Sequence, residues 1–143
     1  MEYNEIKRCF KECPELAGID DAIAASLFWH AEEQTLEEGE IIYWEGVKLD
    51  NTFGLLLSGT LAVERAGEMV GTVAEQHVFG EMAYFSQHRA RNGTIRVVSA
   101  QAVILKFELS PADLGSVAFS SLRRCLARQT VNRFRDAAQK LAA

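Results

Sequence analysis

The sequence predicts a mainly β domain, a jelly-roll-like β-barrel with N-terminal helices and a long C-terminal helix. Between residues 39 and 108, short β-favouring runs alternate with glycine-marked turns. The stretches on either side carry apolar residues at helical spacing. The chain has 143 residues, 48 % of them apolar, enough for one packed core and one domain. The expected division is N-terminal helices at 1–36, a β-roll at 37–108 and C-terminal helices at 109–143.

Ile6, Cys9, Phe10 and Cys13 mark a first helix that must stop at Pro14. Asp20 or Asp21 caps a second, carrying Ile23, Ala24, Leu27 and Phe28 and ending near Gln34. His30, beside Phe28 and Trp29, reads as a partly buried core histidine. Strands are expected at 40–44, 53–58, 60–65, 69–74, 94–99 and 102–108, with Ala66-Gly67 as a hairpin turn and Leu61 and Val63 on one buried face. Residues 80–93 interrupt this series. Ser110-Pro111-Ala112-Asp113 is an N-cap followed by proline and an acid, a strong helix start. From about Ser120, the positions Phe119, Leu122, Leu126, Thr130, Phe134, Ala137 and Leu141 form one apolar stripe. Such a stripe covers either the barrel or a second copy, and a homodimer through this helix is the expectation.

Composition narrows the function. A net charge of -5 with 24 % charged residues disfavours nucleic acid as a partner. No apolar run approaches the roughly 18 residues of a membrane span, and the first residues lack the basic-then-apolar order of a leader, so a cytoplasmic protein is expected. Cys9, Cys13 and Cys125 have no companion ligands at metal-binding spacing, and no metal is expected. His88 with Glu81 is the one acid–base pairing to consider, but no nucleophile accompanies it, so no catalytic residue and no enzyme are expected.

The interruption reads Phe79-Gly80-Glu81-Met82-Ala83-Tyr84-Phe85-Ser86-Gln87-His88-Arg89-Ala90-Arg91-Asn92-Gly93-Thr94. Glycine before a short apolar segment suggests a brief helix whose first N–H groups can hold an anion. An arginine returning from the far side of the loop completes a phosphate clamp with charge-assisted bonds. A carboxylate such as Glu81 is out of place beside a phosphate, but it accepts bonds from a sugar hydroxyl. Phosphate, arginine and a hydroxyl-reading acid together describe a nucleotide.

Phe79-Gly80-Glu81-Met82-Ala83, a loop and then Arg91-Asn92-Gly93-Thr94 resembles the phosphate-binding cassette of cyclic-nucleotide-binding domains, here at 79–94. The spacing from Glu81 to Arg91 is similar to that of catabolite-activator-type domains, and Gly39, Gly46 and Gly59 stand where that family has strand-end turns. The resemblance implies a cupin-like jelly roll, lacking a DNA-binding domain, that takes cyclic AMP or cyclic GMP and no other cofactor. It implies Arg91 on the phosphate, Glu81 on the ribose 2′-hydroxyl, and the backbone of Gly80, Met82 and Ala83 on the remaining oxygens. Val63, Val70 and Val73 would line the sugar and base. Arg89 is the rival for the phosphate; Thr94, three residues after Arg91, favours Arg91. Asn92 stands where the family has a small residue, which implies a narrowed or retuned pocket, and Gln76-His77 occupies a turn where glycine is common. The base would be covered from residues 133–139. The implied function is a sensor that signals through its C-terminal helix to an unidentified effector protein. The alternative is a degenerate member of the same fold acting as a dimerisation or interaction module.

Overall fold

A computed structural model describes residues 2–130. Helix α1 (Tyr3–Glu12) buries Ile6, Cys9 and Phe10 and ends with the Cys13 N–H donating to the Cys9 carbonyl, just ahead of Pro14. Helix α2 (Asp21–Trp29) is capped by Asp20, whose carboxylate accepts from the Ile23 N–H at 2.9 Å.

The expected continuation of α2 to about Gln34 does not occur, and the boundary near residue 36 shifts. Residues Ala31–Glu37 form strand β1, paired antiparallel with the last strand from Ala31 opposite Phe107 to Glu37 opposite Gln101. The local composition, with three glutamates and a glutamine, favours helix; long-range pairing outweighs that preference.

Six further strands follow before the last: β2 (Ile41–Tyr43), β3 (Thr52–Ser58), β4 (Leu61–Arg65), β5 (Glu68–Val73), β6 (His77–Phe79) and β7 (Thr94–Val97). Strand β8 (Gln101–Glu108) completes the set. Ala66 and Gly67 join β4 to β5 with φ of 52° and 81°, the pair of left-handed residues a two-residue hairpin turn requires. Strand β6 went unforeseen; it is three residues long and is preceded by Gln76 at φ 65°, a left-handed turn made without glycine.

The strands form two antiparallel four-stranded sheets, ordered β1-β8-β3-β6 and β2-β7-β4-β5, the jelly roll that was expected. Alternation along β3 and β8 sends side chains to two separate cores. Leu56, Ala102 and Ile104 meet Leu61, Val73, Ile95 and Val97 between the sheets. Phe53, Leu55, Leu105 and Phe107 point the other way, onto the helices.

Helix α3 (Pro111–Leu114) starts as expected, with the Ser110 hydroxyl accepting from the Asp113 N–H at 3.1 Å. Residues 120–130 are helical. Within them Leu122 and Leu126 are fully buried and Thr130 nearly so, and the two leucines lie in the helix-side core with Ile6, Leu16 and Leu27. This part of the stripe therefore covers the chain's own barrel and helices. Phe134, Ala137 and Leu141 lie outside the described residues.

Candidate functional site

A cavity of about 540 Å³ opens beside the second sheet, within the range of small-ligand sites. Val63 and Arg65 on β4, together with Met69, Val70 and Val73 on β5, form one wall. His77 and Phe79 on β6 lead into the floor, where Gly80, Met82, Ala83, Arg91 and Asn92 converge. Gln129 reaches it from helix 120–130.

The floor begins at Gly80, whose φ of 78° ends β6 and turns the chain into a short 3-10 helix, Glu81–Phe85. No larger residue fits there. A Cβ on Gly80 would stand 2.6 Å from the Tyr43 ring and 3.0 Å from an Arg91 terminal nitrogen. The loop then doubles back, and its return limb is held against the β2–β3 connection. The Leu49 N–H donates to the Arg89 carbonyl, the Arg91 N–H to Val47, and the Gly46 N–H to Arg91. This pairing aims Arg91 inward.

Arg91 is 5 % exposed. Its Nη1 donates to the Gly80 carbonyl and its Nη2 to the Thr52 carbonyl, each at 2.7 Å. Nη2 also meets the Asp50 carboxylate at 2.7 Å. The guanidinium lies 3.5 Å over the centre of the Tyr43 ring, whose hydroxyl bonds to the Thr52 hydroxyl at 2.8 Å. Burial pushes the Tyr43 phenol up to about 12, although the Arg91 charge and the Thr52 bond pull the other way. Partial burial works to raise the Asp50 carboxyl, but bonds from Thr52 and Arg91 and the nearby guanidinium charge outweigh it, so its pKa is lowered. The result is a cation fixed in the cavity floor, braced by one carboxylate that is half exposed.

Eight of the nine residues expected from the sequence line this cavity: Val63, Val70, Val73, Gly80, Met82, Ala83, Arg91 and Asn92. Glu81 is the ninth, and it lies fully buried behind the lining. Asn92 extends its amide to 3.7 Å from the Met82 sulfur across the mouth of the cassette. Arg89, the rival arginine, is exposed at φ 52°, and His88 is exposed as well, away from the cavity lining. The base-covering segment 133–139 falls outside the described residues.

Sequence reasoning missed Tyr43, Asp50 and Thr52, because Asp50 and Thr52 meet Arg91 across 41 and 39 positions with no local pattern to announce it. Arg65 was within reach: it follows Val63 by two on a strand and so shares its face. Gln129 was too, three residues after Leu126 on the edge of the stripe. Among the described residues no helix is long and apolar enough to cross a membrane and no group of His, Cys, Asp and Glu forms a metal site.

The sequence model of the family described as "Cyclic nucleotide-binding domain" matches residues 33–111. No curated protein matches the chain. Among solved structures, the cAMP-bound PfPKA-R aligns with a TM-score of 0.78 at 18 % identity, covering 98 % of this chain and 47 % of that one. A putative cyclic nucleotide-binding protein from Geobacter metallireducens aligns at 0.74 and 17 % identity, covering 90 % of this chain and 97 % of that one. The regulatory subunit of a cAMP-independent protein kinase A from Trypanosoma cruzi, bound to guanosine, aligns at 0.69 and 15 % identity, covering 86 % and 43 %. The chain spans less than half the length of the two kinase regulatory structures.

Proposed function

The chain belongs to the cyclic nucleotide-binding domain family, and from that premise we propose that it is a regulatory module whose cavity takes cyclic AMP or cyclic GMP with the phosphate on Arg91. The observation that carries the reading is Arg91 itself, a buried guanidinium on the floor of a cavity large enough for a nucleotide. Charge-assisted bonds to a phosphate are the strongest contacts such a group can offer. The Asp50 carboxylate pairs with Arg91 where a phosphate would bind in this reading. Its side chain is 52 % exposed, so releasing it to solvent costs little and exchange for a ligand phosphate is feasible. Gly80, Met82 and Ala83 bring backbone close to the same spot, and the apolar wall of Val63, Val70 and Val73 suits a sugar and base. Glu81 serves the ribose hydroxyl in this reading only if ligand entry moves the cassette, since the carboxylate now sits behind the lining.

Gln129 supports the transmission part of the proposal. It touches the cavity from the helix that also places Leu122 and Leu126 in the core, so an occupant would contact the C-terminal helix directly. A ligand shifts that helix by its difference in affinity for the two positions, and the signal passes to an effector protein or a second copy in the cytoplasm.

One observation favours a second reading: both terminal nitrogens of Arg91 already have protein acceptors. That arrangement suits a chain that keeps the fold as an interaction module, and a similar fold described as cAMP-independent holds guanosine. Calorimetric titration with cyclic AMP, cyclic GMP and guanosine separates the two. Micromolar or tighter binding of a cyclic nucleotide, weakened at least tenfold by Arg91→Ala, upholds the sensor. Binding of guanosine alone, or no heat with any of the three, overturns it.

A further inference from the structure

We propose that His77 is a second anion-contacting residue of the cavity, its ring held in place by the buried carboxylate of Glu15; the inference rests on the cavity being a cyclic nucleotide site. Strand alternation sets the side on which His77 lies. Val78 belongs to the helix-side core and Phe79 to the inter-sheet core, so His77 shares the side of Phe79, and both line the cavity. Strand β6 is an edge strand, and from its first residue the imidazole reaches past the sheet: Nδ1 lies 2.7 Å from Glu15 Oε1. Glu15 comes from the connection between α1 and α2. Its side chain is 3 % exposed, against 41 % for His77.

A carboxylate buried to that degree is costly as an anion unless partners compensate it. The Cys13 thiol bonds to its other oxygen at 3.0 Å, and the His77 ring nitrogen is the partner of the first. With Nδ1 committed to Glu15, Nε2 is the ring nitrogen left for an occupant of the cavity.

The other groups around the ring do not supply a competing titration. Glu75, two residues earlier, accepts from the Gly59 N–H at 3.0 Å, Leu56 lies opposite on β3, and Arg65 and Arg91 share the cavity. Burial drives the Cys13 thiol far above its ordinary value. Carboxylates and guanidinium groups ordinarily hold their charge between about pH 5 and pH 8, whereas histidine changes its own. A cyclic phosphodiester stays singly negative over that span. Affinity is therefore highest at the acid end and falls as the imidazole loses its proton.

The test is calorimetric affinity for cyclic AMP and cyclic GMP, on the full chain, at steps from about pH 5.5 to about pH 8.5, spanning the histidine range. Thermal melts at each pH establish that every variant is folded. The unchanged chain should weaken about fivefold across the range. His77→Gln, which keeps an amide donor toward Glu15, should bind at the weaker level throughout, and His77→Lys, a fixed cation, at the tighter one. Glu15→Gln, which removes the carboxylate that holds the ring, should weaken binding at the acid end. A flat profile in the unchanged chain, or a slope that survives His77→Gln, overturns this inference while leaving the nucleotide reading intact. Absence of binding at every pH overturns both.

Discussion

The first sheet has two faces, and the chain treats them differently. On the helix side, Phe53, Leu55, Leu105 and Phe107 are covered by α1, α2 and helix 120–130, and each is at most 1 % exposed. On the other side, the inter-sheet core ends where the cavity begins. Phe79, Val73 and Ile95 are buried yet line its wall, while Met69 and Val70 stand 65 % and 46 % exposed at the rim. One face spends its apolar residues on closure; the other stops short and fills the gap with Arg91, Gly80 and Asn92. The difference teaches where substitutions act on stability and where they act on a ligand.

The largest effect is expected on the sealed side. Leu126→Ala leaves a hole among rigid neighbours and should cost about 2 to 5 kcal/mol in denaturant unfolding. If the variant loses under about 1 kcal/mol, the helix-side core is looser than its burial implies and the contrast between the faces fails. Next comes the cavity floor: Gly80→Ala forces a Cβ into the Tyr43 ring and a left-handed backbone, expected to cost about 1 to 3 kcal/mol and to weaken cyclic-nucleotide binding. Restored stability in the double variant with Tyr43→Leu would trace the loss to that collision.

Tyr43→Phe keeps the ring under Arg91 and removes only the bond to Thr52, so a loss of about 1 kcal/mol is expected with nucleotide affinity nearly unchanged. The smallest effect is at Asp50. Because its folded pKa is lowered, its contribution is present above the ordinary carboxylate range, about pH 4, and is lost as pH falls through the folded value. Half exposure and screening hold that contribution below about 1 kcal/mol. Asp50→Asn should therefore melt slightly lower at neutral pH and converge with the unchanged chain in acid. It should also bind nucleotide no more weakly, since a competitor for Arg91 is gone; weaker binding would mean that Asp50 holds the arginine in place for the ligand.

The cavity floor was easier to read in the sequence than the frame around it, and the reason is range. Gly80, Met82, Ala83, Arg91 and Asn92 sit within one short segment, whose resemblance to a family cassette singled them out. Ser110 and the Ala66-Gly67 turn were legible from equally local stretches. Strand β1 was not, because its glutamates speak for helix until β8 pairs with them. Strand β6 was hidden by its shortness and by Gln76 taking a turn conformation normally given to glycine. Asp50, Thr52 and Glu15 act on residues dozens of positions away, and nothing local marks them.

The collision between residue 80 and the Tyr43 ring has a historical consequence. Positions 43 and 80, far apart in sequence, constrain each other's change: while the ring is present, any side chain at 80 meets it as well as the left-handed backbone. A small aliphatic residue at 43 would remove the collision but leave the left-handed φ of 78° and the Arg91 nitrogen 3.0 Å away, so glycine would still be favoured at 80. Sequences descended from this one should therefore show aromatic residues at 43 only in company with glycine at 80.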